Sequence, residues 1–214
     1  VDDIYLRGRI DRLDQLSSDY LGAIDYKSSA HSFKLQDAYD GLSLQFMTYL
    51  DVIKEAFPNQ KIWGALYLQF KNQPINLSEI NHLSEIAGLL KESMRYDGLV
   101  LEEAADQIKA IENITVKKSN IYNQEEFEQL LKLNENHYQH AGQRLKSGQI
   151  AINPIMKRSE GIDQTGNVRG CRYCPLKSIC RFEANVHMNE HSREIGQKSQ
   201  AEILAELKGE GRNE

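Results

Sequence analysis

The stretch Gly8 to Lys27, GRIDRLDQLSSDYLGAIDYK, constrains the fold more than any other part of the chain. It holds two short apolar-rich runs that each end in an acidic residue, and the second acid is followed two positions later by a lysine. If Tyr20 to Lys27 is a strand, its period of two puts Asp25 and Lys27 on one face and turns the Tyr26 side chain to the other. The run Ile4 to Leu13 also alternates, with Ile4, Leu6 and Ile10 on one side and Arg7, Arg9 and Asp11 on the other. A hairpin that sets Asp11 opposite Asp25 has its midpoint at Ser18, inside the polar segment Gln15 to Asp19 that reads as a turn. Directly opposed residues carry Cβ atoms roughly 5 Å apart, close enough for two carboxylates to share a hard cation.

Such a pair with a lysine suits phosphodiester hydrolysis. Asp11 and Asp25 would hold Mg²⁺ through oxygen ligands, with the backbone carbonyl of Tyr26 as a further donor. The ion would lower the pKa of a bound water and neutralise charge in the transition state, and Lys27 would orient the water or stabilise developing charge. The plainer reading is an edge hairpin with exposed ion pairs, so a third element matters. From Gln36 to Phe57 the positions Tyr39, Leu42, Phe46, Leu50 and Ile53 recur at helical spacing until Pro58, which predicts one long helix. Gly41, Gln45 and Tyr49 then form a stripe able to reach a neighbouring polar site.

The remaining elements are ordinary. KIWGALYLQF, Lys61 to Phe70, predicts a core strand beside the hairpin. Leu77 to Met94 predicts an amphipathic helix, 102–111 a short helix within a mixed stretch, and Gln124 to Lys146 a strong helix. Gln149 to Ile155 suggests a short strand and Gln200 to Leu207 a helix before a disordered end. His31 falls in the polar loop Ser28 to Lys34, as a solvated residue or a substrate contact. His137 and His140, three apart, read as a solvated face.

The chain has 214 residues and a net charge of -5, which argues against nonspecific coating of nucleic acid, since that affinity comes from phosphate neutralisation. Lys157, Arg158, Arg169, Arg172, Lys177 and Arg181 against Glu160 and Asp163 give one segment a net +4, the local basic patch that a DNA contact needs. All three cysteines lie in that segment, in CRYCPLKSIC, a C-x2-C-x5-C cluster that suits zinc or an iron-sulfur centre over a disulfide framework. His187 is a candidate fourth ligand for zinc. No apolar run approaches membrane-spanning length and no signal peptide is visible, which makes the cytoplasm the default location. A start at Val1 suggests a piece of a longer protein.

GRIDRLD, IDYKSS and GLSLQFMTYL, in this order and spacing, resemble the PD-(D/E)xK nuclease domain of the RecB type. They look most like the C-terminal nuclease domain of the AddB/RexB family, the B subunit of bacterial ATP-dependent helicase-nucleases. The resemblance implies an α/β fold with a restriction-endonuclease-like core, a central mixed sheet flanked by helices, and a C-terminal cysteine-rich segment. It implies residues 1–155 as the nuclease core, 156–190 as a basic iron-sulfur clasp and 191–214 as a polar tail. It matches Asp11 and Asp25 to the metal-binding acids, Lys27 to the catalytic lysine, and Gln45 and Tyr49 to the motif near the site and the DNA. Cys171, Cys174 and Cys180 resemble three ligands of a [4Fe-4S] cluster whose fourth cysteine has no match in this sequence. The implied partners are DNA and an AddA/RexA-type helicase-nuclease subunit, and the implied task is Mg²⁺-dependent exonuclease action at double-strand breaks during recombinational repair. Two other readings stand beside it, a stand-alone Cas4-like exonuclease and a DNA-binding or structural module that does not cleave.

Overall fold

The computed structural model describes residues 4–17, 19–29, 31–70, 88, 94–111, 114, 116–186 and 192–209. Among these residues five strands form a mixed sheet in sequence order: β1 (Arg12–Ser17), β2 (Tyr20–Lys27), β3 (Lys61–Phe70), β4 (Met94–Leu101) and β5 (Ile121–Tyr122). β1 and β2 are antiparallel, β2 and β3 parallel, β3 and β4 antiparallel, and β4 and β5 parallel. A parallel neighbour needs a crossover, and the β2–β3 connection carries α1 (Leu35–Tyr39) and α2 (Gln45–Ala56) across one face.

That face holds the larger core. Ala23, Tyr67, Leu99 and Leu101 of the sheet pack on Phe46, Met47, Leu50 and Ile53 of α2, and on Phe127, Leu130 and Leu131 of α4 (Gln124–Lys146). The opposite face buries Ile24, Trp63, Leu66, Leu68 and Val100 against Ala104, Ala105 and Ile108 of α3 (Glu102–Lys109). A Cβ at Gly22 would lie 2.1 Å from the Trp63 ring, so glycine lets the indole cover β2 and donate to the Asp14 carbonyl at 2.9 Å. α4 begins with a capping box between Asn123 and Glu126, which contributes about 1 kcal/mol.

Several expectations change. The alternation over Ile4 to Leu13 does not make a strand, because residues 4–10 have no regular structure and β1 begins at Arg12. At the bend on Asp11 the side chain, Oδ2, accepts the Tyr26 N–H at 3.2 Å, where a continued ladder would use main chain. At the other end the ladder runs on to Ser17↔Tyr20 through a bulge, so the turn is shorter than Gln15 to Asp19. The single helix over Gln36 to Phe57 is two helices. Gly41 takes φ +78°, and the Asp37 carbonyl accepts from both Leu42 and Ser43 N–H groups at 2.7 and 3.2 Å, which closes α1 and redirects the chain into α2. The mixed stretch expected over Tyr96 to Ile114 begins inside strand β4, which precedes its helix. Most of the helix expected over Leu77 to Met94 lies outside the described residues.

The C-terminal segment closes back on the core. β6 (Ile155–Lys157), later than the strand expected over Gln149 to Ile155, pairs in parallel with β7 (Arg193–Ile195). Between them lies the short helix α5 (Lys177–Cys180). α6 (Gln200–Leu207) buries Ile203 in the larger core, so the segment expected as a polar tail contributes packing. No helix among the described residues is long and apolar enough to cross a membrane.

Candidate active site

β2 ends with Asp25 and Lys27 on the face that α2 covers. Asp25 is only 2% exposed although it is charged, and Lys27 Nζ lies 2.6 Å from its Oδ2. α2 starts above them, with Gln45 in its first turn. Gln45 Nε2 donates to Asp25 Oδ1 at 3.0 Å, and Gln45 Oε1 accepts from Lys27 Nζ at 3.2 Å. One amide therefore binds both members of the ion pair. One turn on, the Tyr49 oxygen accepts from Gln45 Nε2 at 2.7 Å. Its own proton has two acceptors in reach, the Arg9 carbonyl at 3.1 Å and Asp25 Oδ1 at 3.3 Å. Burial raises the Tyr49 hydroxyl pKa first; the Gln45 hydrogen bond opposes this, and the charges of Asp25 and Asp11 add to it. Asp11 and Asp25 thus both act on a hydroxyl presented by α2.

The hairpin register agrees with that placement. Arg12 is paired with Ile24, so Asp11 stands one position before the first pair, next to the position of Asp25. Asp25 is buried while Asp11 is exposed at the mouth. Gly41, the third member of the expected stripe, lies in the turn before α2 and touches neither acid. A Cβ there would come within 3.3 Å of the His137 ring, whose Nε2 lies 3.0 Å from the Tyr39 carbonyl. His137 is thereby a packing residue, and His140 is exposed.

The acids suit a hard cation. Asp25 Oδ1 has two donors, whereas Oδ2 is buried and, among the described residues, has no aligned hydrogen-bond donor and has the ammonium of Lys27 beside it. A buried carboxylate oxygen in that state is stabilised by positive charge. Lys27 supplies one such charge, and a divalent ion is the other kind of group that would, with Asp11 and Asp25 as the nearby carboxylates that could bind it. The thiols differ. Burial pushes the Cys171 thiol up, and Cys174 and Cys180 add to the shift. Yet among the described residues no three His, Cys, Asp or Glu side chains are gathered to hold a metal ion, these cysteines included. His187 lies outside the described residues.

The structure adds residues that sequence reasoning missed. In the parallel register Asp25 faces Tyr67 and Lys27 faces Gln69, so both β3 residues share the site's face. Lys27 Nζ sits 5.2 Å from the Tyr67 ring centroid, and burial raises that phenol's pKa against a hydrogen bond with Ser43. Alternation within KIWGALYLQF places Tyr67 and Gln69 on one face, but only the pairing shows which.

The basic segment is compensated from within and from outside. Lys157 lies 3.6 Å from Asp37, Arg158 3.4 Å from Glu194, Arg169 2.6 Å from Glu160 and Arg172 3.2 Å from Asp163. Asp37 and Glu194 stand outside the 157–181 stretch, which is why its net charge promised a freer patch than the fold presents.

A sequence model of the PD-(D/E)XK nuclease superfamily matches residues 1–181. The chain is 89% identical over its whole length to the exonuclease/helicase subunit RexB of Lactococcus lactis subsp. cremoris, of which it covers 20%. It is 31% identical to the ATP-dependent helicase/deoxyribonuclease B subunit of Streptococcus suis, over 96% of this chain and 18% of that protein. The same identity relates it to the protein of that name from Enterococcus faecalis, over 95% of this chain and 19% of that protein. It therefore spans about a fifth of the length of the curated relatives it matches. With its mixed sheet and flanking helices, the chain belongs to the PD-(D/E)XK nuclease superfamily.

Proposed function

We propose that this chain is the Mg²⁺-dependent DNA exonuclease domain of the B subunit of a cytoplasmic ATP-dependent helicase-nuclease. Its partner is an AddA/RexA-type subunit, and the pair processes double-strand breaks for homologous recombination and repair. The observation that carries the reading is the joint hold of Gln45 on Asp25 and Lys27, in a chain 89% identical to a RexB subunit.

When bound, Mg²⁺ supplies a water of lowered pKa and positive charge for the phosphate oxygens. Asp11, Asp25 and the Tyr26 carbonyl are its proposed ligands. Gln45 and Tyr49 fix Asp25 through Oδ1 and leave Oδ2 turned to Lys27. Lys27, held between Asp25 and Gln45, orients water or takes up charge on the phosphate. Its ammonium needs no large motion to do so, which keeps reorganisation small. Cys171, Cys174 and Cys180 are proposed as three ligands of a [4Fe-4S] cluster, with a fourth cysteine from outside these 214 residues. The experiment is strand-specific cleavage by the intact complex. Asp25→Ala and Lys27→Ala should each abolish cutting of one strand while the other is still cut. Unchanged cutting of both strands, or DNA binding that Mg²⁺ never converts to cleavage in the wild type, removes the nuclease reading.

A further inference from the structure

The loop that leaves β2 after Lys27 is fastened to the neighbouring strands by two side chains. Gln69, 8% exposed and the register partner of Lys27, accepts the His31 N–H through Oε1 at 3.1 Å and donates through Nε2 to the His31 carbonyl. Asp97 of β4 accepts the Phe33 N–H at 2.8 Å and is itself paired with Lys117 at 2.7 Å. A buried amide with both ends committed to one residue's main chain acts as a short piece of strand, and it holds His31 at a set position. The loop turns polar groups outward: Ser28, Ser29, His31 and Ser32 are all exposed.

The imidazole is oriented as well as anchored. His31 Nδ1 lies 3.1 Å from the Ser29 carbonyl and 3.3 Å from the Ser29 hydroxyl, so Ser29 serves Nδ1 as acceptor or as donor. With the Ser29 hydroxyl donating to Nδ1, the ring proton sits on Nε2; with Nδ1 donating to the Ser29 carbonyl, Nε2 carries a proton only when the ring is doubly protonated, the form that an arriving phosphate favours. The ring meets Tyr67 edge-on at 5.8 Å between centroids, and Tyr67 also underlies the Lys27 ammonium, so the two cationic or donor groups border one aromatic ring.

We propose that His31 is a substrate-binding residue that donates through Nε2 to a phosphate of the DNA strand next to the one cut, with Gln69 as its positioning residue. The proposal rests on the nuclease reading above and extends it to the strand's path. A charged acceptor strengthens such a bond. The fixed loop also means that little ordering is lost when the strand arrives.

The test is single-turnover cleavage by the whole complex, across concentrations of a duplex end-labelled on the strand that Asp25→Ala leaves uncut. His31→Asn keeps a polar group near Nδ1 and removes the outer donor, whereas His31→Gln restores a donor near Nε2. His31→Asn should raise the half-saturating DNA concentration about tenfold with the maximal rate within about twofold. His31→Gln should recover most of that loss, and Gln69→Leu should reproduce it with His31 intact. A half-saturation unchanged in His31→Asn overturns the proposal, as does an equal loss in the Asn and Gln variants, which would mark a role in loop structure only. Asp25→Ala in the same preparation reports on the nuclease reading separately, so the two can fail independently.

Discussion

Gln45 stands between Asp25 and Lys27, donating to the first at 3.0 Å and accepting from the second at 3.2 Å. A side chain with donor and acceptor on one planar group is the simplest device for holding a carboxylate and an ammonium in fixed relation. Glutamate in its place would turn a second carboxylate toward Asp25, and leucine would leave Asp25 Oδ1 with Tyr49 alone. Gln45→Leu should lower the single-turnover cleavage rate by about 10- to 100-fold, the worth of one hydrogen bond to a charged group. A rate within twofold of wild type would show that Gln45 does not serve the reaction.

Asp11 differs from Asp25 in exposure, and that separates metal binding from folding. Asp11→Ala should change stability by no more than about 0.5 kcal/mol, since water can replace its bond to the Tyr26 N–H. If Asp11 holds the ion as proposed, the Mg²⁺ concentration for half-maximal cleavage should rise at least about 10- to 100-fold, because removing a ligand costs no less than removing an outer-shell partner. A Mg²⁺ titration of cleavage, beside thermal unfolding of the same variant, checks both halves.

Asp37 joins the cysteine-bearing segment to the turn that precedes α2. Its carboxylate lies 3.6 Å from Lys157 and 4.0 Å from Arg169, with the Asp37 and Lys157 side chains each 16% exposed. Its carbonyl closes the turn that leads to Gln45. Asp37→Asn leaves a mostly buried lysine without its carboxylate and should destabilise the domain by about 1–3 kcal/mol. Urea unfolding of the full-length subunit measures it, and limited proteolysis should find residues 155–195 cut sooner.

Asp163 makes the segment's stability depend on acid. The Thr165 hydroxyl, the Asn167 and Thr165 N–H groups and Arg172 hold its carboxyl well below the usual range. A depressed folded pKa stabilises above the unfolded value of about 3.9, and the effect is lost as pH falls from there through the folded pKa. Asp163→Asn should therefore melt below wild type at pH 7 and at pH 5. The gap should shrink only under about pH 4, and a gap constant down to pH 2 would contradict the assignment.

Sequence alone determined whatever depends on neighbours along the chain. Alternation put Asp25 and Lys27 on one face of β2, and a midpoint at residue 18 agrees with the Arg12↔Ile24 register. Helical periodicity located α4 over Gln124–Lys146 and α6 over Gln200–Leu207. The same periodicity overran Gly41, because apolar spacing does not register a turn closed by the Asp37 carbonyl. Tertiary structure decided the rest. Tyr67 and Gln69 joined the site through a parallel pairing across the α1–α2 crossover, and Gln45 reached Asp25 because the break at Gly41 starts α2 directly above β2. The cations of 157–172 found carboxylates as distant in sequence as Asp37. Periodicity is a property of single elements, whereas register across a crossover and the meeting of opposite charges are set by which faces the packed core brings together.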